Sequence, residues 1–219
     1  MSSTARIKRS MRRIAGFTII ELLVATAVFG TVLLVATTGV MQLSRVYYKG
    51  VTERNTQNTA RSIADLIAQS IQFNGGSVTT TPATPTPGNE YAFCVGNQQY
   101  SYSVGYEVAD SPVAGKFQKR HALVVRDLAG CTSSSAAQDL DPVAVIGREL
   151  MRPGMRLASL QITNAGTDLY RISVRVVYGD DSVLTSPATA AAAKCQSIRA
   201  GTQFCAISDL TTVVTKRVE

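Results

Sequence analysis

The sequence predicts an α+β fold in which one long N-terminal α-helix packs on an antiparallel β-sheet domain. Two patterns predict it: an apolar and then amphipathic run over residues 17–73, and apolar side chains at every second position from Tyr91 onward. The 219 residues suffice for one modest domain with a helical extension. We divide the chain into five parts. They are a cytoplasmic leader (1–16), a transmembrane half-helix (17–43), an amphipathic half-helix (44–73), a Thr/Pro-rich loop (74–90) and a β-rich domain (91–219).

The basic residues are concentrated at the N-terminus. The chain has a net charge of +7, and five of these charges lie in residues 1–16, which contain no acid. Lys and Arg are retained on the cytoplasmic side of a membrane, so this leader is a topology signal. The rest of the chain carries only +2 and shows no basic stripe with interleaved aromatics, which argues against nucleic-acid binding.

Residues 17–43 are almost entirely apolar or small and contain no proline. A helix of this length extends about 40 Å at about 1.5 Å per residue, enough to cross a hydrocarbon core of about 30 Å. Gly30 and Gly39 are tolerated because a helix in lipid must satisfy its own backbone. The sequence therefore predicts a single membrane span, with Glu21 as its only charge.

Residues 44–73 continue the helix in amphipathic form. Ala60, Ile63, Ile67 and Ile71 recur at helical spacing and predict a face that packs on the chain's own domain. The helix should stop at Asn74-Gly75-Gly76. The Thr/Pro-rich loop that follows is either glycosylated or simply extended.

Four segments of the domain are predicted to be strands of an antiparallel sheet, three of them because they alternate with period two. The first, half-buried, places Tyr100, Tyr102, Tyr106, Val104 and Val108 on one face. The others are residues 121–128, the series Ala158, Leu160 and Ile162, and the series Tyr170, Ile172, Val174, Val176 and Tyr178. Residues 164–168 form a hairpin loop between the last two, and residues 194–219 form a cysteine-closed loop followed by a strand or a helix.

The four cysteines include no C-x-x-C pair, and the chain has a single histidine, so a structural zinc site is not favoured. An even count after a membrane segment favours two disulfides in an oxidising compartment. We favour the sequential pairing, which joins Cys94 to Cys131 and Cys195 to Cys205. The alternative is four reduced thiols.

The lone carboxylate in the apolar run needs a partner, since a charge in hydrocarbon costs a few kcal/mol. Cleavage after Gly16 would give Phe17 a new α-ammonium about one helical turn from Glu21. In a bundle of such helices, Glu21 of one subunit would face the amine of its neighbour and fix the axial register.

The stretch Gly16-Phe17-Thr18-Ile19-Ile20-Glu21-Leu22-Leu23-Val24, with the basic leader before it, resembles the class III signal of type IV pilins and type II secretion pseudopilins. The resemblance implies cleavage between Gly16 and Phe17 by prepilin peptidase and N-methylation of Phe17. It implies a subunit held in the inner membrane with its C-terminal domain outside the cytoplasm. An ATP-driven assembly platform would then move the subunit into a helical filament, where Glu21 pairs with an adjacent N-terminus.

The sub-family is indicated by size and pattern. The membrane half has Thr38 near the position where major pilins commonly carry a kinking proline, and the segment TQNTARSIADLIAQSIQFNG is similar to PilW-like minor pilins and J-type pseudopilins. The resemblance implies a minor pilin that primes assembly or sits at the tip, with other minor and major pilins as partners. The alternatives are a type II secretion J-type pseudopilin and a tip adhesin or DNA-uptake pilin.

No catalytic arrangement is visible, so we expect no enzymatic activity and no cofactor. His121 is expected to be structural or at the surface. Two acidic pairs occur in the domain, Asp139 with Asp141 and Asp180 with Asp181. We expect both pairs to be turn residues, and calcium binding is the alternative. Tyr100, Tyr102 and Tyr106 are expected in the core, with an exposed adhesion surface as the alternative.

Overall fold

A computed structural model of the chain describes residues 17–108, 121–142, 144–185, 193–196 and 201–217. The chain divides into two compact units, Met1–Ser44 and Arg45–Glu219, which we describe separately. One α-helix, α1, runs over Ile19–Phe73 and contributes to both. The predicted leader, residues 1–16, lies outside the described residues.

In the second unit, α1 buries one face in the domain core. Ala60, Ile63, Ile67 and Ile71 are each at most 2% exposed, which confirms the predicted apolar face. The helix ends at Phe73, as the sequence predicts. Gly75 and Gly76 follow with φ angles of 63° and 74°, a left-handed conformation that glycine adopts without a steric penalty.

Nine strands form three antiparallel sheets in the described part of the domain. The first sheet has the order β1-β2-β3-β4, with strands Glu90–Val95, Gln98–Ser103, Leu123–Asp127 and Arg148–Glu149. The second has the order β5-β6-β9, with strands Met155–Gly166, Leu169–Tyr178 and Ala206–Thr215. The short strands β7 and β8, Leu184–Thr185 and Lys194–Cys195, pair with each other. One long helix with antiparallel sheets confirms the predicted α+β fold.

The main core joins α1 to the two larger sheets. From β6, the core contains Ile172, Val174 and Val176, with Tyr170 and Tyr178 packed at its edge, so this predicted alternation is confirmed. The hairpin between β5 and β6 is tighter than predicted. Gly166 pairs with Leu169, so Thr167 and Asp168 form the loop, and Asp168 adopts a φ of 54°. Ala165 has no partner in the register, which shifts between Asn164 and Gly166. The undecided C-terminal segment is the strand β9.

The tyrosine-rich strand β2 differs from the prediction in length and in burial. It ends at Ser103, and Tyr106 lies beyond it. Both of its faces are buried, because residues 136–138 cover the side opposite the tyrosines. The Gln99 side chain donates to the Ala136 carbonyl at 2.8 Å, and Ser101 Oγ accepts the Gln138 N–H at 3.0 Å. The half-buried strand was therefore a wrong prediction.

A β-bulge breaks the predicted alternation of β5. Leu157 pairs with Val176 and Ser159 with Arg175, which leaves Ala158 as the extra residue. The main core contains Leu157, Leu160 and Ile162, whereas Ala158 packs in a second, smaller cluster around Cys205. The prediction that Ala158, Leu160 and Ile162 share one face was wrong for this reason.

The Thr/Pro-rich loop is more than an extended connection, because it hydrogen-bonds to both larger sheets. Thr79 exchanges bonds with Cys94 of β1, donating its N–H at 2.9 Å and accepting on Oγ1 at 2.7 Å. Thr81 does the same with Ile162 of β5, at 3.2 Å and 2.9 Å. The loop therefore links the edges of two sheets.

Candidate functional site: the exposed apolar half of the helix

The first unit presents apolar side chains on its surface. From Phe17, which is 81% exposed, to Leu43, 70% exposed, the large apolar residues lie outside any core in the described structure. Ordinarily such a surface marks contact with lipid or with another protein. Among the described residues, α1 is the one helix long and apolar enough to cross a membrane. This agrees with the span that the sequence predicts.

The helix begins with a cap at Thr18, which the prediction overlooked. Thr18 Oγ1 accepts the N–H of Glu21 at 3.3 Å, and the Thr18 carbonyl accepts the N–H groups of Glu21 and Leu22 at 3.1 and 3.2 Å. Thr at the N-cap with Glu three residues later is the capping-box pattern, which the sequence displays. Glu21 thus lies in the first turn, where a negative charge interacts favourably with the helix dipole.

Threonine hydroxyls in the apolar segment are satisfied within the helix itself. Thr26, Thr31, Thr37 and Thr38 donate to carbonyls three or four residues earlier, at 2.8 to 3.1 Å. A helix in lipid has no water to satisfy such groups, so internal bonding makes these threonines compatible with hydrocarbon. Glu21 remains the only charge between Phe17 and Leu43.

The predicted cleavage site straddles the limit of the described structure. Gly16 lies outside the described residues, and Phe17 is the first residue within them. Phe17 and Thr18 precede the first helical residue, Ile19, so the described side of the predicted cleavage site is not part of the helix. Cleavage and N-methylation at Phe17, and the pairing of Glu21, remain predictions.

Both disulfides lie in the second unit. The structure pairs Cys94 with Cys131 and Cys195 with Cys205, the sequential arrangement that the sequence favours. The first tethers β1 to the segment after β3, and the second closes a ten-residue separation between β8 and β9.

His121 lies at the start of a buried polar cluster just before β3. Its Nδ1 is 3.3 Å from Glu149 Oε2. The Glu149 carboxylate accepts the backbone N–H groups of Ala122 and Leu123 at 3.0 and 3.2 Å, and that of Met151 at 2.7 Å. Burial raises the pKa of the Glu149 carboxyl above its ordinary 4.5, although these hydrogen bonds and His121 oppose the shift. Glu149 therefore serves the packing of β3 and β4, as a structural residue.

The remaining acidic and aromatic candidates also have structural contacts. Asp139 Oδ1 accepts the Asp141 N–H at 3.0 Å, which is a turn contact. Asp181 pairs with the buried Arg156 at 2.6 Å. No group of three His, Cys, Asp or Glu residues in the described ranges is arranged to hold a metal ion. Tyr100 and Tyr102 are fully buried, so they cannot form the alternative adhesion surface.

A scan of family models matches residues 11–37 to the prokaryotic N-terminal methylation motif. Searches of curated proteins and of solved structures gave no significant match. The matched segment includes Gly16, Phe17, the Thr18 cap and Glu21, and it continues into the exposed apolar helix.

The chain therefore carries the class III signal of type IV pilins and pseudopilins. This motif supports a type IV pilin or pseudopilin in general, a class of structural subunits that prepilin peptidase processes for assembly. The apolar helix that follows the motif agrees with membrane anchoring.

Proposed function

We propose that the chain is a minor type IV pilin, a structural subunit that helps to initiate a pilus or sits at its tip. Prepilin peptidase cuts it between Gly16 and Phe17, and the Phe17 amine is methylated. The observation that carries this proposal is the methylation motif at residues 11–37, continued by a helix whose apolar side chains are exposed. Lipid covers these side chains before assembly, and neighbouring subunit helices cover them in the filament.

The position of Glu21 fits both the membrane-anchored subunit and the assembled filament. A helix rises about 1.5 Å per residue, so Glu21 lies about 33 Å from Leu43, slightly more than the hydrocarbon thickness of about 30 Å. With Leu43 at the outer border, Glu21 reaches the headgroups on the cytoplasmic side and stays hydrated. In the filament it is desolvated, and the N-terminal amine of an adjacent subunit becomes its partner.

Membership in the minor group is supported by the chain's size and by the lack of a proline in residues 17–43. The same features suit a type II secretion J-type pseudopilin, which is the second candidate. Neighbouring genes separate the two: pilus biogenesis and retraction genes favour the pilin, and a secretion operon favours the pseudopilin. A tip adhesin or DNA-uptake role would require ligand binding by the domain.

The test of processing is the N-terminal mass of the protein recovered from its native membrane. We expect a chain that begins at N-methylated Phe17, and a Gly16→Val variant that still begins at Met1. The variant controls for other proteases, because it alters only the residue before the scissile bond. A wild-type chain that begins at Met1 in cells with active prepilin peptidase would overturn the proposal.

A further inference from the structure

An exposed aromatic cluster lies in the second unit, shortly after the membrane segment along the chain. We name it the interfacial patch and define it as Tyr47, Tyr48, Val51 and Phe204. The Tyr47 and Tyr48 rings are 6.0 Å apart, and the Tyr48 and Phe204 rings are 5.7 Å apart. The exposed fractions are 67% for Tyr47, 51% for Tyr48 and 44% for Phe204. These rings contact one another without being covered by the described parts of the domain.

The patch joins two elements that are far apart in sequence. Tyr47, Tyr48 and Val51 belong to α1, whereas Phe204 ends the short 3-10 turn Thr202–Phe204. Phe204 directly precedes Cys205, which is 3% exposed and bonded to Cys195. The Phe204 N–H also donates to the Gly201 carbonyl at 2.9 Å. The disulfide and this turn hold Phe204 beside the helix.

The place of the patch along the chain identifies what covers it. Tyr47 follows Leu43 by four residues, or about 6 Å of helix. The headgroup layer on each side of the hydrocarbon is about 5–7 Å thick, so Tyr47 falls within it and Tyr48, about 7.5 Å beyond Leu43, lies at its outer limit. Tyr is enriched at this level because its ring is amphipathic.

The charges beside the patch also favour contact with lipid headgroups. Arg45 and Lys49 flank the two tyrosines and are both exposed. Arg45 is the first charge after Glu21 in the sequence, so it marks the outer limit of the apolar segment. Lys49 pairs with Glu53 at 3.9 Å across an exposed surface, a contact too weak to remove its attraction to anions. Exposed basic side chains beside aromatic rings suit anionic lipid headgroups.

We infer that the interfacial patch docks the domain on the outer headgroup layer of the membrane before assembly, with Phe204 inserted beside Tyr47 and Tyr48. The proposed occupant is a bilayer that contains anionic lipid. The inference rests on the proposed membrane-anchored state of the subunit. It gives the Cys195–Cys205 disulfide a function, which is to hold Phe204 where it meets the lipid surface.

The chain contains no tryptophan, so a single Phe→Trp substitution provides a unique fluorescent probe. Three matched variants of the full chain answer different questions: Phe204→Trp in the patch, Phe29→Trp in the membrane segment, and Phe73→Trp at the far end of α1. Phe29 and Phe73 are 65% and 58% exposed. Twenty-five helical residues, about 38 Å, separate Phe73 from Tyr48. Beside Phe204, a cavity of about 320 Å³ leaves room for the larger indole.

Each variant is reconstituted in vesicles of phosphatidylethanolamine and phosphatidylglycerol that carry bromine either near the headgroups or near the chain ends. We expect loss of Phe204→Trp fluorescence with the shallow bromines, of Phe29→Trp fluorescence with the deep ones, and no loss for Phe73→Trp. Replacing phosphatidylglycerol by phosphatidylcholine should weaken the Phe204→Trp signal. Adding Tyr48→Ala to the Phe204→Trp chain should also weaken it.

The experiment distinguishes failure of the proposed membrane-anchored state from failure of the patch inference alone. If Phe29→Trp escapes quenching, the membrane-anchored state is wrong, and the patch inference falls with it. If Phe29→Trp is quenched but Phe204→Trp is not, only the patch inference is overturned. Equal quenching of all three variants would show non-specific adsorption, which also overturns it. So would a blue shift of Phe204→Trp that depends on the protein-to-lipid ratio, since this indicates contact with a second copy. Native disulfides and circular dichroism verify the fold of each variant.

Discussion

Replacing Glu21 with alanine separates the two contributions that this carboxylate makes. The local one comes from its place in the first turn of α1, where a negative charge beside the helix dipole is worth about 0.3–1 kcal/mol. The proposed intersubunit contribution is larger, because removing one partner of a buried ion pair costs about 3–5 kcal/mol. The variant should therefore reveal which of the two dominates.

The two contributions predict results of different size. A loss of about 3–5 kcal/mol per subunit lowers incorporation roughly a hundredfold to a few thousandfold, since about 1.4 kcal/mol is a factor of ten. A loss of about 1 kcal/mol lowers it only about fivefold. Membrane insertion should be unchanged in Glu21→Ala, because the substitution makes residues 17–43 more apolar.

Thr18→Ala is the matched control. It removes the hydroxyl that accepts the Glu21 N–H at 3.3 Å and keeps the carboxylate, at a cost of about 1 kcal/mol for a lost cap. The assay is quantitative immunoblotting of the sheared filament fraction and of the membrane fraction, after the N-terminal mass has verified processing of each variant. Normal incorporation of Glu21→Ala, or an equal defect in Thr18→Ala, would refute the pairing of Glu21 with a neighbouring amine.

Three further predictions concern the domain and are measured by urea unfolding of the full chain in detergent. Ile67→Ala should lower the free energy of unfolding by about 2–5 kcal/mol, because Ile67 is fully buried in the main core, whereas the exposed Asp65→Ala should change it by less than about 0.5 kcal/mol. Replacing Cys195 and Cys205 together by serine should cost about 2–4 kcal/mol, and an unchanged midpoint would contradict a structural role for this disulfide. Burial raises the pKa of Glu149 in the folded state, so the stability it contributes is complete below its ordinary pKa of 4.5 and is lost as pH rises through the raised pKa. The stability of wild type relative to Glu149→Gln should fall over that range, and a constant difference would contradict the shift.

The features predicted correctly depend on local pattern. The helical face of Ala60, Ile63, Ile67 and Ile71 repeats with the period of a helix, and the β6 series repeats with the period of a strand. A single buried environment on one side produces each pattern, so composition along the segment is sufficient to show it. The processing motif is equally local, since nine consecutive residues carry it.

The features that the sequence did not predict depend on distant segments. Ser101 and Gln99 look like solvent-facing residues, but residues 136–138 supply hydrogen-bond partners that allow their burial. The bulge at Ala158 shifts the alternation by one residue, and nothing in the local composition marks it. The role that we infer for Phe204 depends on its ring contact with Tyr48, which lies more than 150 positions earlier in the chain. The Thr18 cap is different, because Thr-x-x-Glu was visible and a search for capping boxes would have found it.

The two halves of α1 have different surroundings, so substitutions in each half should have different and separable effects. Residues 17–43 contribute no buried side chain to the described structure, so their substitution should leave the unfolding of the domain unchanged while altering insertion or assembly. Residues 60–71 supply the face that fills the main core, so a cavity there lowers the stability of the domain and, through it, the amount of subunit available for assembly. Loss of filament incorporation with normal unfolding therefore points to Glu21 and its neighbours, and loss of both points to the packed face around Ile67.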